Sequence, residues 1–403
     1  MSVSVHIIGA GLAGLACAVR LTNRRTPVTI YEATEHAGGR CRSFFDNVLK
    51  RNIDNGNHLL LSGNRQAMAY MQAIGSLQSM PPSEQAAFPF FDLESGERWS
   101  VEANWKLRVP GSSVLDLLAV FKLAWATKKS TITETLNTSR PIFRKLWEPL
   151  SISILNTAPE EAAASLLWAV LKQTFGRGAQ ACHPCIAQHG LSQSLIDPAL
   201  SFLQQHGANI RFNERLKSVS FEDGRAAALT FGHDQVSIGP SDTVIMALPI
   251  PAIGELLPGL SHPDQYRSIV NGHFVLPKTR RGINFMGLIG GVSQWLFVRR
   301  DVASVTVSAA DQLAKKSSEE IAKTLWPEVM RALELNDTPL PAYRIIKEKR
   351  ATFAQTPEQA CLRPDTQTKW LNVLLAGDWT DTGLPATIEG AITSGHKAAN
   401  AVR

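Results

Sequence analysis

Charge is scarce in this chain. Asp, Glu, Lys and Arg make up 19% of its 403 residues, below the roughly 25% of an average soluble domain. With 44% of residues hydrophobic, that balance excludes a disordered protein and gives a chain of this length a sizeable core. Cysteine is scarcer still. Cys17, Cys41, Cys182, Cys185 and Cys361 are too few and too scattered for a disulfide scaffold, and the odd count fits a reducing compartment. No run of about 18 apolar residues occurs, so no membrane-spanning helix is expected. The start, Met-Ser-Val-Ser-Val-His, lacks the basic region and apolar run of an export signal, and a cytoplasmic location is expected. RNP-type and zinc-finger patterns are missing, and a net charge of +6 is too weak to argue for nucleic acid. Without Gly-x-Ser-x-Gly, His-Glu-x-x-His or a Walker loop, hydrolase and ATPase chemistry have no support.

What is present is a nucleotide-binding rhythm that appears three times. Residues 3–8 read as a strand, 9–14 as a turn, 15–22 as a helix and 28–31 as a second strand. The rhythm returns after 185, with a helical pattern over 191–206, a strand at 209–212 and antiparallel strands over 216–242. Those strands surround the turn Glu222-Asp223-Gly224-Arg225, and a buried strand follows at 243–248. A last strand at 372–376 precedes a helix from 387. Between them, 81–175 and 262–350 change character, with a β-like part at 287–298 and a helix around 317–335. The expectation is an α/β protein. A Rossmann-like domain would be built from 1–75, 185–255 and 350–403, and a discontinuous α+β substrate domain from 76–184 and 256–349.

Gly9-x-Gly11-x-x-Gly14 sits between predicted strand and helix, the context in which the pattern binds a dinucleotide. Gly9 allows the turn and Gly11 lets backbone N–H groups of Leu12 and Ala13 approach a pyrophosphate. Gly14 lets helix and strand pack closely. The helix N-terminus adds partial positive charge. Glu32, eighteen residues after Gly14, ends the second strand beside Ala33, where a carboxylate can accept from ribose hydroxyls. The bland reading is a plain structural turn. Gly38-Gly39-Arg40 then supplies close backbone approach and a fixed cation, a second element that an NAD-only site does not need.

With that block the chain resembles the flavin amine-oxidase and carotenoid-desaturase superfamily. Near the other end, Ala376-Gly377-Asp378 closes a strand and Thr387-Ile388-Glu389-Gly390-Ala391 opens a helix. The resemblance implies that FAD is bound noncovalently, that Asp378 bonds the ribityl chain, and that the helix start at Ile388 faces the flavin ring beside Gly377. The bland reading of Asp378 is a helix cap. The resemblance also places Asn57 and His58 near the flavin and Val219 near the cofactor; for His58 the alternative is a satisfied core histidine. Residues 376–391, together with Lys347-Glu348-Lys349-Arg350-Ala351-Thr352-Phe353, look like blocks of the bacterial squalene-associated FAD enzymes, the hydroxysqualene dehydroxylases of hopanoid biosynthesis. The likeness is strongest at 1–60 and 340–403 and loose between 80 and 180. It implies reduction: hydroxysqualene loses its hydroxyl and gains hydride from reduced FAD, inside an apolar tunnel. A phytoene-type desaturase using oxidised FAD and a non-catalytic flavin-fold scaffold are the competing readings.

Two signals stand apart. Cys182-His183-Pro184-Cys185 has the spacing of a redox dithiol or half a zinc site, but lacks a second pair, and is read as structural. Segment 101–146 holds eight basic and three acidic residues, a local +5, interleaved with Trp105, Leu117, Leu118, Phe121 and Trp125. A solvated face is the usual meaning. Peripheral contact with anionic membrane is the alternative that suits an insoluble isoprenoid substrate. If 114–129 is one helix, Lys122, Lys128 and Lys129 form one patch. The external reductant is left open, and contact with the preceding pathway enzyme is the other delivery route.

Overall fold

The computed structural model of the chain describes residues 4–103, 109–279 and 285–402. Its first layer is a five-stranded sheet in the order Val373–Leu375, Thr243–Met246, Val5–Ile8, Val28–Tyr31, Asn209–Arg211. Every neighbouring pair is parallel. Four of these, all but the edge strand Asn209–Arg211, are short runs of apolar, largely β-branched residues buried almost throughout, as strands covered on both faces must be. Three distant pieces of chain therefore build one sheet; Val28–Tyr31 has its expected bounds, and Asn209–Arg211, Thr243–Met246 and Val373–Leu375 are a residue or two shorter than expected. Asp223 and Gly224 turn the chain with φ of 48° and 73°, as a tight hairpin requires. They lie within an antiparallel sheet of Leu216–Glu222, Arg225–Phe231 and Asp234–Ser237.

Helix Leu12–Thr22 packs against the C-terminal helix Ile388–Ala401. The approach is close because Gly395 faces the first helix: a Cβ there would lie 2.2 Å from the Ala13 carbonyl oxygen. Gly14 is equally confined, its Cβ position 2.0 Å from the Gly9 carbonyl oxygen.

The second layer is a seven-stranded sheet. Its order is Tyr343–Phe353, Tyr266–Val275, Val302–Val307, Trp295–Arg299, Phe285–Ile289, Ala87–Asp92, Arg98–Glu102. Strand Tyr343–Phe353 crosses the expected division at 349/350 and pairs with Tyr266–Val275 on both sides of it. One face is covered by helix Ser318–Ala332, whose Ile321, Leu325 and Val329 join Val270, Val305 and Val307 in one core. The other face divides in two. Asn271, His273, Ser304 and Thr306 form a polar half, since residues paired directly across antiparallel strands share a face. Phe88, Phe90, Phe285, Trp295 and Phe297 form an aromatic half, packed against 143–171 and beside Leu59 and Leu61.

Segment 114–129 departs from expectation. The α-helix stops at Leu118, continues as a 3-10 turn over Ala119–Trp125, and ends at Ala126 in extended backbone. Thr127 and Ser130 explain the stop: their hydroxyls take the N–H groups of Lys129 and Thr127 that would have continued a helix. Lys128 and Lys129 therefore lie beyond the helix rather than on its face. Val3, Trp105, Lys106 and Arg108 lie outside the described residues.

Gly395→Ala tests the helix contact. Overpacking of this kind costs about 1–3 kcal/mol, so thermal unfolding should move down by several degrees. An unchanged midpoint would show that the two helices can separate freely.

Candidate functional site

The first cluster of predicted residues forms a cradle at the carboxyl end of the parallel sheet. Gly9 has φ of 108° and lies too close to Ala247 for any side chain, with a Cβ position 2.4 Å from its carbonyl oxygen. Gly11 is the reverse: a Cβ there would meet nothing within 4 Å, so its surface is open to a ligand. It is also the residue before helix Leu12–Thr22 and offers no side-chain cap. The N–H groups of Leu12, Ala13 and Gly14 thus have no partner within the helix. Gly38 bridges Gly11, and a Cβ on Gly39 would lie 3.6 Å from the Gly11 Cα, so the two glycine turns face each other. The size and donor set suit a pyrophosphate.

Glu32 Oε2 accepts from the Ala10 N–H (2.9 Å) and Oε1 from the Thr34 N–H (3.0 Å). The carboxylate is fixed by the glycine turn and left half-exposed beside Ala33. Val219 is half-buried in the antiparallel sheet and packs in the cluster containing Tyr31, whose ring stacks on Phe231 at 4.5 Å.

Arg40 and Asp378 meet. Arg40 Nη2 donates to Asp378 Oδ1 (2.7 Å), and its Nη1 donates to the Ala351 carbonyl. The pairing with Asp378, above all, holds the guanidinium more firmly protonated than usual. Asp378 is therefore no helix cap. The helix Ile388–Ala401 is capped by Thr387, whose hydroxyl accepts from the Gly390 N–H. The loop after Gly377 is pinned from behind by Arg363, which donates to the carbonyls of Asp378 (3.2 Å) and Thr380. Gln355 supplies a further tie, accepting from the Ala386 N–H (2.8 Å). No sequence motif announced Arg363 or Gln355, because each acts through backbone carbonyls or N–H groups far away in sequence. Glu389 is buried and accepts from the N–H groups of Gln66 (3.0 Å) and Ala67 (2.8 Å), capping helix Arg65–Ala73. That is a structural role for a residue of the C-terminal signature.

Asn57 and His58 lie where the two layers touch. Asn57 Nδ2 donates to Thr306 Oγ1 (3.0 Å), and the Thr306 hydroxyl donates to Asn271 Oδ1 (2.8 Å). Burial pushes the His58 imidazole down to about 4, with Arg40 adding to that and Asp54 opposing it. Asp54 is fully engaged, accepting from the Leu191 N–H (2.9 Å), the Ser43 hydroxyl (2.5 Å) and Arg299 (2.7 Å).

Cys182 and Cys185 are buried free thiols, pushed up to about 12 and about 11 by burial. Pro184–Cys185 pairs with Leu60–Leu61 as a short strand. The segment is built into the core rather than presented for chemistry.

Comparison with known proteins agrees with this geometry. The family described as flavin containing amine oxidoreductase matches residues 12–278 and 298–403. A hydroxysqualene dehydroxylase of Rhodopseudomonas palustris is 43% identical over 413 residues, covering 100% of this chain and 99% of that protein. A zeta-carotene desaturase of Synechocystis is 22% identical, covering 99% of this chain and 96% of its own length. Cyclohexylamine oxidase from Brevibacterium oxydans superposes with a TM-score of 0.75 at 16% identity, covering 100% of this chain and 99% of that one. The last likeness shows the fold.

His58, His273 and His396 are each lowered by burial to about 4. Unfolded, they would bind protons near 6.5, so folding stability is complete above that value and is lost as pH falls toward 4. His273 is 1% exposed, and its share amounts to about 3 kcal/mol over that window. Stability of His273→Gln should fall less steeply between pH 7 and 4.5 than that of the wild type in urea titrations. Equal slopes would sink the assignment.

Proposed function

We propose that this chain, which belongs to the flavin containing amine oxidoreductase family, reduces hydroxysqualene to squalene with FAD held noncovalently. The observation that carries the reading is end-to-end similarity to a hydroxysqualene dehydroxylase, with the desaturases far more distant. Reduced FAD, when bound, supplies the hydride that replaces the hydroxyl. The chain's own part is to bind, orient and keep the site dry. In this reading Gly9, Gly11, Leu12, Ala13 and Gly14 receive the pyrophosphate with Gly38 and Gly39, and Glu32 and Ala33 hold the adenosine ribose. Val219 borders the adenosine. Asp378 keeps Oδ2 for a ribityl hydroxyl while Oδ1 is taken by Arg40. Gly377, Ile388, Asn57 and His58 border the ring. No cysteine lies in the C-terminal block to form a thioether.

The five-stranded layer would then hold cofactor and the seven-stranded layer substrate, with the aromatic half of its inner face suited to a long apolar chain. A surface feature supports delivery from a membrane. Val114, Leu115, Leu118, Phe121 and Trp125 are all exposed, Leu115 by 77% and Trp125 by 80%, beside exposed Lys122, Lys128 and Lys129. Just beneath, Trp99, Val109, Pro110, Ser113, Val114 and Leu117 line a cavity of about 470 Å³. Among the described residues no helix is long and apolar enough to cross a membrane, so the contact would be peripheral.

Dithionite-reduced protein incubated anaerobically with hydroxysqualene should yield squalene and reoxidised flavin. Conversion of phytoene with an electron acceptor instead would establish the desaturase reading. Acid precipitation should release the flavin intact. Glu32→Ala and Asp378→Ala should each weaken FAD about ten- to hundredfold, as loss of a bond to a charged acceptor costs roughly 1.5–3 kcal/mol. Unchanged occupancy after dialysis would displace the site.

The protein should sediment with anionic vesicles at low salt, and less so at 1 M, where screening shortens the range of charge to about 3 Å. Changing Lys122, Lys128 and Lys129 to Glu should lower sedimentation and leave flavin absorbance intact. A wild type that ignores such vesicles would leave transfer from the preceding enzyme as the route.

A further inference from the structure

Strand Tyr343–Phe353 points alternate side chains to opposite faces. Ile345 packs into the core under helix Ser318–Ala332, and the Lys347 ammonium reaches the Lys316 carbonyl. Ile346 and Glu348 accordingly face the other way. Ile346 stands opposite Asn271, whose Nδ2 donates to the Asn55 carbonyl (3.4 Å) in the turn that carries Asn57 and His58. Immediately after Glu348 the register slips. Ile269 pairs with Glu348 but Arg267 pairs with Thr352, so Lys349–Ala351 bulge out of the sheet. The bulge brings the Ala351 carbonyl onto Arg40, the kind of local redirection that bulges provide beside active sites. Glu348 contributes to holding Arg40 protonated, and His58 feels the same Arg40 charge. Glu348, Arg40 and His58 therefore share one neighbourhood.

The reduction needs an acid, because hydroxide is a poor leaving group. Asp378 is paired with Arg40, Asp54 with Arg299, and Asp46 with Arg344. Glu389 is spent on a helix start, and His58 is neutral at physiological pH. Glu348 is half-buried, and its side chain makes no hydrogen bond or ion pair among the described residues. Resting on the dehydroxylase reading, we infer that Glu348 is the general acid that protonates the departing hydroxyl. Its carboxylic proton goes to the hydroxyl oxygen, and the C–O bond breaks with its electron pair leaving on water. Hydride from the reduced flavin closes the carbon, so the substrate is reduced by two electrons, the flavin is oxidised by two, and squalene and water leave. The carboxylate regains its proton from solvent, and an external two-electron donor, dithionite in the test below, reduces the flavin again. Arg40, already shared with Asp378, then steadies the carboxylate that proton transfer leaves behind.

The charged and titratable groups around this face are Arg40 with Asp378, His58, His273, Arg299 with Asp54, Arg344 with Asp46, and Arg350 over the Tyr266 ring. None of them is altered in the test. Reduced holoenzyme is mixed anaerobically with hydroxysqualene, and return of the visible flavin band is followed in a single turnover across pH. Wild-type rates should decline with rising pH. Glu348→Gln should keep FAD occupancy and substrate affinity, slow the turnover about a hundredfold or more, and lose the pH dependence. Glu348→Asp should recover part of the rate, and Glu348→Ala should be accelerated by added formate. A Gln variant within a few-fold of wild type, or Gln and Ala variants that both lose FAD, would overturn the assignment. A wild type that hydroxysqualene does not reoxidise would overturn the dehydroxylase reading itself.

Discussion

One ion pair holds the two ends of the chain together. Arg40 and Asp378 are 338 residues apart in sequence and 2.7 Å apart in space. The Asp378 side chain is only 9% exposed, and a carboxylate so placed is costly unless paired and hydrogen-bonded. The same guanidinium reaches the Ala351 carbonyl at the edge of the seven-stranded sheet. A single residue after the second glycine turn thereby ties the C-terminal loop to the seven-stranded sheet. Arg363 fixes that loop from its other side. The cradle around Gly11 has a defined shape because this junction closes it.

The junction also explains how one sheet face can serve two environments. Near Arg40 the face is polar, with Asn271 and Thr306 bonded to the turn that carries His58. Past Leu59 and Leu61 it becomes aromatic and is covered by helices. A reacting group held at the polar end and a long apolar remainder held at the other would match this gradient. The gradient follows from strand register, since Thr306 pairs with Trp295 and Ser304 with Phe297.

The sequence announced the five-stranded layer almost completely, because four of its strands are short apolar runs ended by Gly9, Glu32, Pro249 and Gly377. The glycine turns were equally plain: Gly9 and Gly14 are confined by backbone and could be little else. The second layer was readable only as a change of character. Its strands pair Phe285–Ile289 with Ala87–Asp92 across nearly two hundred residues, in parallel, and no local pattern encodes such a partner. Segment 114–129 failed for a different reason. Apolar spacing predicted one helix, but the Thr127 and Ser130 hydroxyls compete for the backbone donors that would extend it. Arg363, Gln355 and the engaged state of Asp54 were invisible, since their partners are backbone groups or side chains far away in sequence.

The balance of charge where the layers meet bears on the chemistry. Arg40, Arg299 and Arg344 each have a carboxylate, Asp378, Asp54 and Asp46, within 2.7 Å. The imidazoles of His58 and His273 are held neutral by burial. Fixed charge is thus cancelled pair by pair, which lowers the cost of burying it where the two layers meet. A transferred proton and a departing hydroxyl would develop their charge in surroundings that do not reorganise. In such a place one unpaired carboxyl group weighs more than it would in solvent, because few dipoles are free to screen it.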